Sequence, residues 1–156
     1  METVLERTAP EPETEEMEEI LLTHLKIQEN HSYELLTHQP GFARVRLLTR
    51  HVETIDESSY LYEPALFSCA NFCAVVAVNE KENHIISAKV DFLNPVKSDD
   101  DEIIFEATAT TNSSGKKQID VIGTVKGIVV LESSFVSLKL DKKSLLKESS
   151  KKAKTE

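Results

Sequence analysis

The chain is poor in the residues that mark unusual architectures. It has four Gly and five Pro in 156 residues, too few for a collagen-like or low-complexity chain, while 40% apolar and 29% charged residues suit a globular protein. That length fits one domain, since a single core usually organises about 100 to 200 residues, and it leaves no room for a second catalytic unit. The only cysteines, Cys69 and Cys73, lie four apart in an apolar segment and would share one helical face. They read as buried core thiols, not as a disulfide framework. Two thiols do not make a zinc site, and the five histidines, at 24, 31, 38, 51 and 84, show no metal-ligand or triad spacing. No stretch approaches the roughly 18 consecutive apolar residues that span a bilayer, and Glu2 and Glu6 stand where a secretory leader would be basic. A cytoplasmic protein without membrane insertion is expected.

Positive charge is also scarce. The net charge is −9, although residues 139–156 hold seven Lys against three acids. The body is therefore strongly acidic and lacks the basic footprint that displaces counterions from phosphates, which argues against DNA as a partner. Residues 1–19 contain eight Glu and one Arg, with Pro10 and Pro12 among them, and are expected to form an acidic disordered tail. The Lys-rich segment 141–156 is expected to be a basic tail, solvating or able to dock on an acidic partner such as acyl carrier protein.

Between the tails the periodicities carry the reading. Met17, Ile20, Leu21 and Leu25 follow helical spacing, and Tyr33, Leu35 and Leu36 add a further turn before Pro40-Gly41, so 20–40 reads as a leading helix. Phe42 to His51 alternates, with Val45 and Leu47 opposite Arg44 and Arg46, as a half-buried strand would. Residues 64–79 are almost wholly apolar, and Pro64 suits the first turn of a helix. A helix apolar on every side must be covered on every side. Strand-like runs follow at Ile85 to Leu93, Ile103 to Thr111, Gln118 to Leu131 and Phe135 to Leu140, with turn chemistry at Asn112-Ser113-Ser114-Gly115. One buried helix against a curved, mostly antiparallel sheet is an α+β arrangement.

Asp56 to Asn79, DESSYLYEPALFSCANFCAVVAVN, resembles the helix-entry region of the hotdog-fold thioesterases, and Ala88 to Val96, AKVDFLNPV, is similar to that superfamily's V-x-F-L-x-P strand end. The likeness covers 41–140. It implies a hotdog fold, a curved antiparallel sheet wrapped around a long central helix, and a dimer or dimer of dimers with the pocket between subunits. The run Leu66, Phe67, Ala70, Asn71, Ala74, Val75 resembles the malonyl-CoA-binding hotdog domain of the bacterial fatty-acid synthesis repressor, without that protein's DNA-binding helices.

In the enzymes, the resemblance implies, backbone N–H groups at the helix start polarise the thioester carbonyl and a helix carboxylate acts as nucleophile or general base. The family's His-Gly-Gly turn aligns with Tyr62, Glu63 and Pro64, and its carboxylate with Asn71. An amide is no base at any useful pH, Glu63 sets a negative charge beside a developing oxyanion, and Pro64 removes one donor. The expectation is acyl-CoA or acyl-carrier thioester binding with substituted catalytic residues and no cofactor. Tyr62, Glu63, Pro64, Ala65, Phe67, Asn71, Phe92 and Asn94 are the candidate contacts, Glu63 and Asn71 the catalytic candidates. Two alternatives stand beside this: a thioesterase using Glu63 in an atypical site, and a non-enzymatic interaction module. Each candidate also has a plain explanation. Asn71 would satisfy backbone groups at the dimer seam, Glu63 would complement the helix dipole, and the phenylalanines would fill the core.

Overall fold

The computed structural model describes residues 20–140. The acidic segment 1–19 and the basic segment 141–156 lie outside the described residues, so their expected character is not addressed by the fold. No described helix is long and apolar enough to cross a membrane.

A short helix α1 (Leu25–Asn30) precedes strands β1 (Tyr33–Gln39) and β2 (Phe42–Leu48), the long helix α2 (Glu63–Val78), and strands β3 (Asn83–Phe92), β4 (Glu102–Thr111), β5 (Lys117–Val125) and β6 (Ile128–Lys139). The six strands form one antiparallel sheet in the order β1-β2-β4-β5-β6-β3. α2 packs against all six strands, so the sheet curves around it as the α+β expectation requires. The core lies between them: Ala43, Val45 and Leu47 from β2 and Ile103, Phe105 and Ala107 from β4 meet Cys69, Phe72, Cys73 and Val76 of the helix. β2 alternates buried and half-buried residues as its pattern foretold, but ends at Leu48 in a short helical turn, Thr49–His51.

Two element expectations are corrected. The segment 20–40 is helical only at Leu25–Asn30; Tyr33–Gln39 is an edge strand paired with β2, so the sheet begins before Gly41. A bulge between Leu35 and Thr37 breaks the alternation, which let Tyr33, Leu35 and Leu36 pass for helical spacing. The run Gln118 to Leu131 is not one long strand. It folds back at Lys126-Gly127, whose φ values of 49° and 79° are those of a two-residue hairpin turn. The expected turn at Asn112–Gly115 is present, with Asn112 Oδ1 accepting from the Ser114 and Lys116 N–H groups, each at 3.0 Å.

α2 is also not covered on every side. Its sheet-facing residues are buried, while Pro64 and Ser68 are exposed and Phe67 and Asn71 half-buried, which leaves one open stripe along its first half. At the other end Asn79 takes the left-handed conformation, φ 50°, that ends many helices. Its side chain accepts from Leu22 N–H (2.7 Å) and donates to Ile20 O (2.9 Å), strapping the start of the described chain across the helix end. Cys69 and Cys73 are free and buried, as expected. Cys73 Sγ lies 3.5 Å from Ala43 O and 3.6 Å from Phe105 O, and burial raises both thiols' pKa values well above the ordinary range.

Candidate functional site

The polar loop 53–59 is closed by two isolated bridges outside the sheet, Thr54 with Leu61 and Tyr60 with Lys97. Leu61 N–H donates to Val96 O and Tyr62 N–H to Glu53 O, each at 2.9 Å, so the peptide entering α2 is clamped on both sides. Tyr62 is the extended residue before the helix and contributes no side-chain cap. In the first turn Pro64 has no N–H and Ala65 donates to Tyr62 O at 3.2 Å. The Glu63 N–H is thus the donor left free at the helix start, among the described residues, and the Glu63 side chain is exposed.

On one side of this turn lies a cavity of about 430 Å³. Ile55, Leu61, Leu66, Phe92 and Val96 give it an apolar wall, and Tyr60, Glu63 and Asn94 supply its polar groups. The Phe92-Leu93-Asn94 corner is held to β6: Leu93 N–H donates to Val130 O at 2.9 Å, and the Asn94 amide donates to Val129 O at 2.8 Å. Phe92 is 44% exposed and Leu93 48%, so this strand end presents apolar surface outward. Concave, mainly apolar and sparsely polar, the cavity has the character of a small-molecule site.

The structure brings together three of the candidate residues, Glu63, Phe92 and Asn94. Tyr62 and Ala65 face a separate cavity of about 230 Å³ on the other side of the turn. Pro64 is exposed and lines neither. Phe67 stacks on Phe135, with centroids 5.7 Å apart and planes 23° apart, which is the packing role weighed for it. Asn71 lies on the open stripe of α2, half-buried, and its amide makes no hydrogen bond among the described residues. Sequence reasoning missed Ile55, Tyr60, Leu61, Leu66, Pro95 and Val96 as cavity residues. Ile55 was the available signal, a lone apolar residue inside a polar loop. No group of three or more metal-ligating side chains occurs among the described residues.

No family model matches the chain. Over 97 residues it is 32% identical to Methylthioribose-1-phosphate isomerase of Aquifex aeolicus (strain VF5), a stretch covering 62% of this chain and 21% of that protein. The chain thus spans about a fifth of the length of the curated relative it matches. Protein PH1136 of Pyrococcus horikoshii has a solved structure similar to this one, with a TM-score of 0.72 and 27% identity, covering 81% of this chain and 96% of that one. The HP0420 homologue of Helicobacter felis matches with a TM-score of 0.68 and 32% identity over 77% of this chain and 86% of that one. The fold alone is shared with two further proteins. One is a mutant of the phenylacetic acid degradation protein PaaI of Thermus thermophilus (TM-score 0.62, 17% identity, 74% and 99% covered), the other thioesterase HI1161 of Haemophilus influenzae (0.60, 10%, 71% and 80%). The chain has the hotdog architecture of these proteins, and at 32% identity over most of both chains it belongs to the same family as the Helicobacter felis HP0420 homologue.

Proposed function

We propose that the chain binds an acyl thioester, of coenzyme A or of an acyl carrier, at the start of α2 and does not hydrolyse it by the mechanism its thioesterase-like fold relatives suggest. The observation that carries this reading is the 430 Å³ cavity beside the helix's first turn, mainly apolar with Tyr60, Glu63 and Asn94 as its polar residues. An acyl chain occupies the apolar wall, and the thioester carbonyl lies towards the Glu63 N–H, which the helix dipole makes electropositive. Hydrolysis needs more than one donor for the oxyanion and a base for water. Pro64 subtracts a donor, Asn71 has no basic group, and the Glu63 carboxylate opposes negative charge growing next to it. The closer likeness of Leu66 to Val75 to the malonyl-CoA-binding repressor domain belongs to this same proposal.

The unit that binds is a dimer. β3 is an outer strand of the sheet, ten residues long, with Ile86 48% exposed and Phe92 44% exposed, and the open stripe of α2 with Asn71 lies uncovered. An exposed apolar edge strand needs cover, and pairing through β3 supplies it while closing the cavity's open side.

The test is a thermal-shift series with acyl-CoA of increasing chain length, read beside a free-thiol assay. Saturable stabilisation without CoA release is expected, about 2.7 kcal/mol when ligand exceeds Kd a hundredfold. Absence of a shift at every chain length would remove the proposal. Thiol release that disappears in Glu63→Gln would establish the atypical thioesterase instead. A second reading, a non-enzymatic interaction module, draws on the Aquifex match, where the resemblance occupies only part of a longer protein. A crystal in which the cavity is filled by the chain's own side chains would favour it.

A further inference from the structure

The second cavity, across the helix turn from the proposed thioester groove, shares no lining residue with it. We infer that this 230 Å³ cavity is a separate binding site for a flat, uncharged heteroaromatic base of the purine kind. The inference does not rest on the proposed thioester binding. Its first support is a wall of rings: His31 and Tyr33 stack with centroids 5.1 Å apart and planes 22° apart. Tyr33 is itself fixed from behind, its hydroxyl donating to Ser68 Oγ at 3.0 Å and its ring tilted on Phe72 at 5.2 Å. Tyr62, 49% exposed, also lines the cavity and is held by its N–H bond to Glu53 O. Leu47, Val52 and Ala65 make the remaining apolar surface.

The rim decides the ligand's chemistry. His51 and the Ser32 hydroxyl can each donate or accept, and the Glu53 carboxylate accepts only. A ring with amine and ring-nitrogen edges meets both kinds of group, while one of its faces stacks on the His31 face that Tyr33 leaves uncovered. A carboxylate-bearing ring would bring its charge to Glu53. An aliphatic chain would leave the rim groups without partners.

The experiment is titration of the full chain with adenosine, followed through the histidine ring signals by NMR. Saturable shifts at His31 and His51 are expected, with His84, which lies outside the cavity, unmoved. His31→Ala, an exposed position, should weaken binding about tenfold by removing one stacking face, and Glu53→Gln tests the rim independently of the wall. Matching backbone amide spectra of the variants and the parent establish that each is folded. No saturable shift up to millimolar adenosine, unchanged affinity in both variants, or equal binding of benzoate would overturn the site. An S-acyl pantetheine probes the first cavity without a base, and adenosine probes the second without a thioester, so failure of one leaves the other reading standing. Competition of adenosine with acyl-CoA would identify the base as the nucleotide end of that ligand; independent binding would identify a free nucleoside.

Discussion

Helix α2 contains two regions with opposite characters. From Cys69 to Ala77 nearly every residue is buried, and the end is closed by Asn79. In the first turn Tyr62, Glu63 and Pro64 are exposed, one backbone donor is unpaired, and a cavity opens on each side. The buried half holds the fold together and the entry turn is free of that demand. Substitutions in the two regions should therefore separate stability from binding.

The largest contrast comes from Phe72, 2% exposed and packed against Tyr33. Phe72→Ala should cost about 3–5 kcal/mol in denaturant unfolding, the range for truncating a buried aromatic. A cost below about 1 kcal/mol would mean that this half of α2 is not the core. Asn79→Ala comes next. It puts alanine in a left-handed conformation and deletes both bonds to the strap, and about 2 kcal/mol is expected from these together. Hydrogen exchange at Leu22 N–H should rise more than at any strand amide; an equal rise everywhere would show that the strap is not a local device.

The thiols sharpen the comparison by pH. Burial raises Cys69, with Cys73 adding to it, and burial likewise raises Cys73. Their folded pKa values exceed the unfolded value of about 8.5, so their contribution is complete below that pH and is lost as pH rises above it, by up to about 1.4 kcal/mol per unit for each thiol. Unfolding free energy measured from pH 7 to 10 should fall above about 8.5, and Cys69→Ala with Cys73→Ala should flatten the slope whatever it does to the level. A slope unchanged by the double substitution would show the thiols to be accessible.

What could be read from sequence follows the same division. The buried helix was legible to within a residue or two because Pro64 and a solid apolar run leave few alternatives, and β2 and β4 because burial on one face enforces alternation. β1 was not, since a bulged edge strand lacks that constraint. Nor was the hairpin at Lys126-Gly127, where Val125 and Ile128 run the apolar pattern through the turn and Gly127 is the sole signal. In the site, Glu63, Phe92 and Asn94 came from motifs that place them beside the helix start. Leu61 and Val96 lie inside the same quoted segments, but backbone bridges between loops bring them and Ile55 to the cavity, and the sequence pattern alone does not show that pairing.

The smallest stability effect is expected at Glu63, and it is the most informative one. An acid in the first turn gains from the helix dipole, worth about 0.3–1 kcal/mol, and Glu63 is exposed with no hydrogen bond or ion pair among the described residues. Glu63→Gln should therefore lower unfolding free energy by less than about 1 kcal/mol. If Glu63 were only a dipole partner, acyl-thioester affinity would stay where it is. If it faces the bound carbonyl, removing its charge relieves repulsion at the free N–H, and affinity should rise severalfold while stability slips. Opposite signs in the two measurements would place Glu63 in the groove. A fall in both would mean that the carboxylate holds the turn together, and the division between the two halves of α2 would fail at its first residue.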